Sequence, residues 1–147
     1  QGYLSGSIAA KSEVYFEPAY QAMIECDMNI NTCINSDSMV KQKYGEAYVT
    51  LLTHTFLRGT NLKKKVIILD ECQNYTVSDL KKTLTRCSDD CKIICVGHDM
   101  QCDLEDKSSS GFKKYIEHFR GHEHCEICEL TINHRGWVSQ FADELVE

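Results

Sequence analysis

The stretch KKKVIILDECQNYTVSDLKK, residues 63–82, decides the fold of this 147-residue chain. Val66-Ile67-Ile68-Leu69 is an unbroken aliphatic run with no polar alternation. Such a run reads as a strand of a parallel sheet, buried on both faces. It stops at two carboxylates, Asp70 and Glu71. Ser78 then offers an N-cap for a helix running to about Cys87. Ile93-Ile94-Cys95-Val96 repeats the strand signal. Further on, Gly111–Phe119 predicts a helix, Ile127–Thr131 a third strand and Val138–Val146 a final helix. Strands alternating with helices predict a three-layer α/β/α fold with a mostly parallel sheet, formed by residues 1–147 as a single domain.

Upstream of residue 63 the pattern is weaker. Residues 1–10, with Gly2 and Gly6, read as loop. Residues 11–25, KSEVYFEPAYQAMIE, carry apolar side chains at near-helical spacing. Pro18, the only proline, predicts that the helix starts there, since proline is tolerated in a first turn. Residues 26–45 are polar and read as a loop followed by a short helix. Ala47–Leu52 predicts a short strand. No internal repeat is visible, and the Ser-rich patch at Lys107–Ser110 is too short to link domains.

Composition narrows the class. The chain has 16 Lys and Arg against 22 Asp and Glu, for a net charge of −6. That balance favours solubility and provides no global attraction to nucleic acid. Lys63-Lys64-Lys65, the one tight basic run, reads as a solvated approach to the strand. The nine cysteines are odd in number and sit largely in apolar runs such as KIICVG. They read as small buried hydrophobes in a reducing, cytoplasmic compartment, where the Asn74-Tyr75-Thr76 sequon stays unmodified. No apolar run nears the roughly 18 residues of a membrane span, so no membrane partner is expected. QGYLSGSIAAK at the start has no signal-peptide character, and its first residue, Gln1, is the mark of a fragment or processed product.

Three strand ends carry the chemistry. In an α/β sheet, ligands sit beyond the carboxyl ends of the strands. Asp70 is placed there to hold Mg²⁺ through hard oxygens, and Glu71 to orient and deprotonate an attacking water. Gln73 is placed to contact nucleotide or to link to the neighbouring loop. After the second run, Gln101 is a neutral amide suited to sensing a γ-phosphate. After the third, Arg135 of NHR offers a guanidinium to a transferring phosphate. A strand ending in a charged turn, or a solvated loop arginine, is the plainer reading of each motif taken alone.

Together the motifs resemble the PhoH-like family of P-loop ATPases, which are related to the superfamily-one helicase core. That family's typical order is an RG segment, DEAQN after a strand, GDxxQxDL after a strand, then SGL. Here the corresponding residues are Arg58-Gly59, Asp70-Glu71-Cys72-Gln73-Asn74, Gly97 to Gln101-Cys102-Asp103-Leu104, and Ser110-Gly111-Phe112. GYLSGSI at residues 2–8 is similar to the family's GFLPGDI, and Glu17-Pro18-Ala19-Tyr20 to its RPxYDAL. The likeness spans nearly the whole chain and is most specific across residues 56–112.

The resemblance implies Mg²⁺-dependent ATP binding and hydrolysis, with Asp70 on the metal, Glu71 as base, Gln101 as γ-phosphate sensor and Arg135 as arginine finger. It places Arg58 near phosphate or across a subunit interface. It also implies RNA or single-stranded nucleic acid as a partner, and a homo-oligomeric ring.

Three departures stand beside it. The sequence contains no G-x-x-x-x-G-K-[ST] phosphate loop, which in the family precedes the GFLPGDI-like segment and is therefore expected before Gln1. His98 stands where the family has aspartate, with Asp99 one place later. NHRGWV is nearer the helicase pattern than the usual ending. The alternative is a catalytically inactive fragment acting as an assembly or nucleic-acid-binding module. A zinc module built from Cys87, Cys91, Cys125 and Cys128, beside His122 and His124, is a third reading. Against it, a strand at Cys125–Thr131 would turn Cys125 and Cys128 to opposite faces.

Overall fold

A computed structural model describes residues 8–34, 48–52, 59–98, 101–132 and 134–144. The chain divides into two compact units, Gln1–Leu62 and Lys63–Glu147.

The regular structure described in the first unit is helical. Helix α1 spans Ile8–Glu25 with Pro18 inside it, so the helix begins ten residues earlier than Pro18 predicts. The ring removes a single N–H from the ladder, and the turns on either side keep theirs. After α1 the chain reverses through Asp27, at φ 54°, with the Met28 amide on the Met23 carbonyl at 2.9 Å. Asn29 then caps the short helix α2, Ile30–Cys33, by accepting from the Asn31 amide at 3.0 Å. The predicted strand at Ala47–Leu52 is not formed over the described residues 48–52, where the Val49 amide bonds the Cys33 carbonyl instead.

The second unit is built on the opening stretch. Strand β1, Val66–Leu69, pairs in parallel with β2, Lys92–Cys95, in the register Val66 to Lys92 through Leu69 to Cys95. Parallel strands need a crossover, and helix α3, Val77–Leu84, lies between them in sequence. Its cap is Thr76, two residues before the predicted Ser78. The Thr76 hydroxyl accepts from the Asp79 amide at 3.2 Å and donates to the Asp79 carboxylate at 2.6 Å. The entry to both strands is clamped: Asp90 accepts from the Lys64 amide at 3.0 Å, and the Lys92 amide reaches the Lys65 carbonyl at 3.0 Å. Helix α4, Phe112–Phe119, matches its prediction, and α5 spans Trp137–Asp143.

The core forms on one face of β1. Leu69, Cys72 and Leu80 are buried together, with Ile67, Tyr75, Leu84, Phe112 and Tyr115 packed around them. α4 is brought onto this core by Gly111. Its amide donates to the Tyr75 carbonyl at 2.8 Å, and a bridge joins Thr76 to Ser110. A Cβ on Gly111 would lie 2.7 Å from the Val77 nitrogen, so only glycine fits this approach.

Two predictions are corrected here. Val66 and Ile68 are 63% and 65% exposed, so β1 is covered on one face and not on both. Leu80 and Leu84 of α3 and Phe112 and Tyr115 of α4 pack on the Ile67–Leu69 face. The third strand, at Ile127–Thr131, is absent: residues 125–132 have no regular structure, and Leu130 is 94% exposed. An apolar run without a paired neighbour has no ladder to complete, and period alone does not supply one. The expected sheet is nonetheless parallel, open and mixed with helices.

Candidate functional site

The carboxyl ends of β1 and β2 bring the first two predicted motifs together. Beyond Leu69 the chain turns sharply. Asp70 accepts from the Glu71 amide at 3.0 Å, and Glu71 takes a left-handed conformation, φ 53° and ψ 41°. For a residue with a Cβ this costs roughly 1–2 kcal/mol and persists only where the surroundings enforce it. Cys72, Gln73 and Asn74 follow as a single 3₁₀ turn.

Each residue of that turn grips the chain leaving β2. The Cys72 amide donates to the Val96 carbonyl at 2.9 Å. The buried Gln73 amide works in both directions: Nε2 donates to the Glu71 carboxylate at 2.5 Å, and Oε1 accepts from the His98 amide at 3.0 Å. The Gln73 carbonyl takes the Cys102 thiol at 3.2 Å. Asn74 closes the series by accepting from the Asp103 amide at 2.8 Å. Gly97 lets the two chains approach, since a Cβ there would stand 2.8 Å from Gln73 Oε1 and 2.9 Å from the Phe112 ring.

Asp70 and Glu71 are exposed at the strand end. Gln73 is 4% exposed, and its side chain joins Glu71 to the His98 amide on the neighbouring loop. Gln101 is exposed on that loop, with its amide on the His98 carbonyl at 3.4 Å. Arg135 is exposed on the segment before α5, where its carbonyl accepts from Gln140 at 2.8 Å. Arg58 and Asp99 lie outside the described residues.

Among the described residues, no three His, Cys, Asp or Glu side chains gather to hold a metal ion. Mg²⁺ needs no such cage: one or two carboxylates, waters and substrate phosphates suffice. Asp70 fits that requirement, with one oxygen committed to the Glu71 amide and its carboxylate exposed.

Sequence reasoning missed Asn74, Cys102 and Asp103 as the lacing between the loops. Gly97 directly after a strand was the available signal, because glycine there often marks a close backbone approach. It also missed Cys72 and Cys95. Cys72 is fully buried, with its thiol 3.2 Å from the Leu69 carbonyl. The Cys95 thiol, then burial, pushes the Cys72 thiol far above its ordinary value, and Cys72 draws the Cys95 thiol down.

Among the described residues, no helix is long and apolar enough to cross a membrane. Comparison with known proteins points one way. The family described as "PhoH-like protein" matches residues 1–136. Protein PhoH of Escherichia coli (strain K12) is 30% identical over 90% of this chain, and the PhoH-like protein of Mycobacterium tuberculosis (strain ATCC 25618 / H37Rv) 26% over 97%. Protein PhoH2 of Bacillus subtilis (strain 168) is 26% identical over 99%. The chain spans 39% of the first two relatives' length and 32% of the third's. No solved structure matches. The family match covers most of the chain, including both strand ends and the turn that laces them, and on that ground the chain belongs to the PhoH-like family.

Proposed function

We propose that this chain contributes the metal and water-activating half of a Mg²⁺-dependent ATPase site. The observation that carries the reading is the pair of exposed carboxylates at the end of a parallel strand, with Glu71 fixed by Gln73 in a left-handed turn. Carboxylates needed only for solubility have no reason to be held in a conformation that costs energy. Asp70 is the residue to hold the ion, which when bound neutralises phosphate charge. Glu71 orients the attacking water and takes its proton. Gln101, on the loop tied to Gln73, reports on the γ-phosphate. Arg135 and Arg58 supply positive charge to the phosphates. Coupling to RNA or single-stranded nucleic acid, assembly into a ring and a cytoplasmic location rest on the family resemblance.

A second reading rests on a different observation: residues 1–147 contain no G-x-x-x-x-G-K-[ST]. Without that cradle, Mg·ATP loses most of its backbone contacts, and an inactive assembly or nucleic-acid-binding module remains. The test is Mg·ATP turnover by the whole protein and its Glu71→Gln variant. Loss of turnover by roughly 10²–10⁴-fold with nucleotide affinity retained supports the ATPase. A variant as active as the wild type refutes the role of Glu71. A wild type that binds no nucleotide but binds single-stranded RNA establishes the module.

A further inference from the structure

Two thiols meet at the ends of the paired strands. Leu69 and Cys95 are cross-strand partners, and the first turn after Leu69 brings Cys72 back over that pair. The Cys72 amide is anchored on the Val96 carbonyl, directly beside Cys95, at 2.9 Å. The Cys72 sulfur stands 3.2 Å from the Leu69 carbonyl, which also accepts from the Val96 amide at 2.8 Å, one residue past Cys95. The backbone and sulfur of Cys72 are thus both tied to the Leu69 and Val96 peptide groups that flank Cys95, which places the two cysteines side by side at the strand ends.

Their surroundings differ in a way that orders the chemistry. Cys95 is exposed and Cys72 is fully buried. An oxidant from solvent reaches Cys95 and is kept from Cys72. We propose that Cys72 and Cys95 form a reversible disulfide, a thiol-oxidation site built into the strand ends beside Asp70 and Glu71.

The oxidant is hydrogen peroxide. Cys95 sulfur attacks one peroxide oxygen, the O–O bond breaks, and Cys95 becomes a sulfenic acid as water leaves. Cys72 sulfur then attacks the Cys95 sulfur, the S–O bond breaks, and a second water carries away the hydroxyl and the Cys72 proton. Both cysteines are oxidised by one electron each, and the peroxide is reduced by two. A small dithiol reverses the step by exchange.

The cross-link acts on the turn. Cys72 precedes Gln73, whose side chain holds Glu71, and its sulfur would leave the Leu69 carbonyl to bond Cys95. The effect on turnover rests on the ATPase reading; the cross-link itself does not.

The experiment exposes the reduced full chain to equimolar hydrogen peroxide, then maps peptides without reduction. The expected result is loss of two of the nine thiols, a mass lower by two hydrogens, and a single Cys72–Cys95 linked pair that a dithiol releases. Cys72→Ala is expected to stop at the sulfenic acid on Cys95, trapped as a 1,3-dione adduct. Cys95→Ser, a change at an exposed position, is expected to leave Cys72 as a free thiol. The proposal is overturned if the first disulfide joins other cysteines such as Cys87–Cys91 or Cys72–Cys102. It is equally overturned if it links two chains, if no disulfide forms, or if Cys72 is oxidised in Cys95→Ser.

Discussion

Gln73→Ala removes the one side chain that, among the described residues, ties Glu71 to the neighbouring loop. Two hydrogen bonds are lost, the donation to the Glu71 carboxylate at 2.5 Å and the acceptance from the His98 amide at 3.0 Å. A bond to a charged group contributes roughly 1.5–3 kcal/mol and one to a backbone amide roughly 0.5–1.5. Glu71 and His98 are exposed, so water replaces part of each loss and the lower ends apply. The left-handed turn at Glu71 stays held by the Cys72 amide on the Val96 carbonyl, so its strain is not released to offset the loss. The sum is about 2–3 kcal/mol, below the roughly 5–15 kcal/mol of a typical domain, so the variant stays folded.

With a slope of roughly 2 kcal/mol per molar urea, the midpoint falls by about 1–1.5 M at unchanged slope. Circular dichroism is the probe of choice, because Trp137, the only tryptophan, is 77% exposed and reports little of the core. A double-mutant cycle with Glu71→Ala isolates the pair, with an expected coupling of about 1–1.5 kcal/mol. A midpoint shift under about 0.3 M, or additivity within about 0.3 kcal/mol, would refute the claim that Gln73 holds Glu71.

Two other perturbations probe the frame around the site. Gly111→Ala forces a Cβ to 2.7 Å from the Val77 nitrogen and 2.8 Å from its α-carbon, backbone atoms that cannot swing aside. A loss of roughly 1–3 kcal/mol is expected in thermal unfolding, and a variant as stable as wild type would show that α4 does not approach the Thr76–Val77 backbone so closely. The third concerns pH. The Thr76 hydroxyl holds the Asp79 carboxyl below its ordinary 3.8, with Lys82 adding to the effect. A depressed folded-state value stabilises above pH 3.8 and is lost as pH falls below it through the folded value. Asp79→Asn should therefore be less stable than wild type near neutrality, with the difference in urea midpoint vanishing in strong acid. A difference that persists there would assign Asp79 a role independent of its charge.

Legibility followed the range of the interaction. The strand at residues 66–69 and the carboxylates after it are local patterns, and they stand where the sequence places them. The helix at residues 112–119 was equally plain. A single residue does not speak for its neighbours. Pro18 predicts a start, yet the turns before it propagate without needing its missing N–H. Ser78 predicts a cap, yet Thr76 has Asp79 three residues on to reciprocate, a pairing that Ser78 lacks. Residues 127–131 have strand composition but no ladder, since a strand is a property of two segments.

The family, the parallel βαβ unit and the position of Asp70 and Glu71 at its carboxyl end were all legible in residues 63–96 and their neighbours. Short-range rules suffice for these: an aliphatic run, an abrupt polar stop and a helix within one crossover. Folding alone reveals that Gln73 is buried between Glu71 and His98, that Asn74 and Cys102 lace the two loops, and that Cys72 returns to the Val96 carbonyl beside Cys95. These pairs lie 23 to 29 residues apart or act through a turn whose left-handed residue no propensity favours. Their partners are set by strand register, and register is fixed by packing across the sheet rather than by either segment alone.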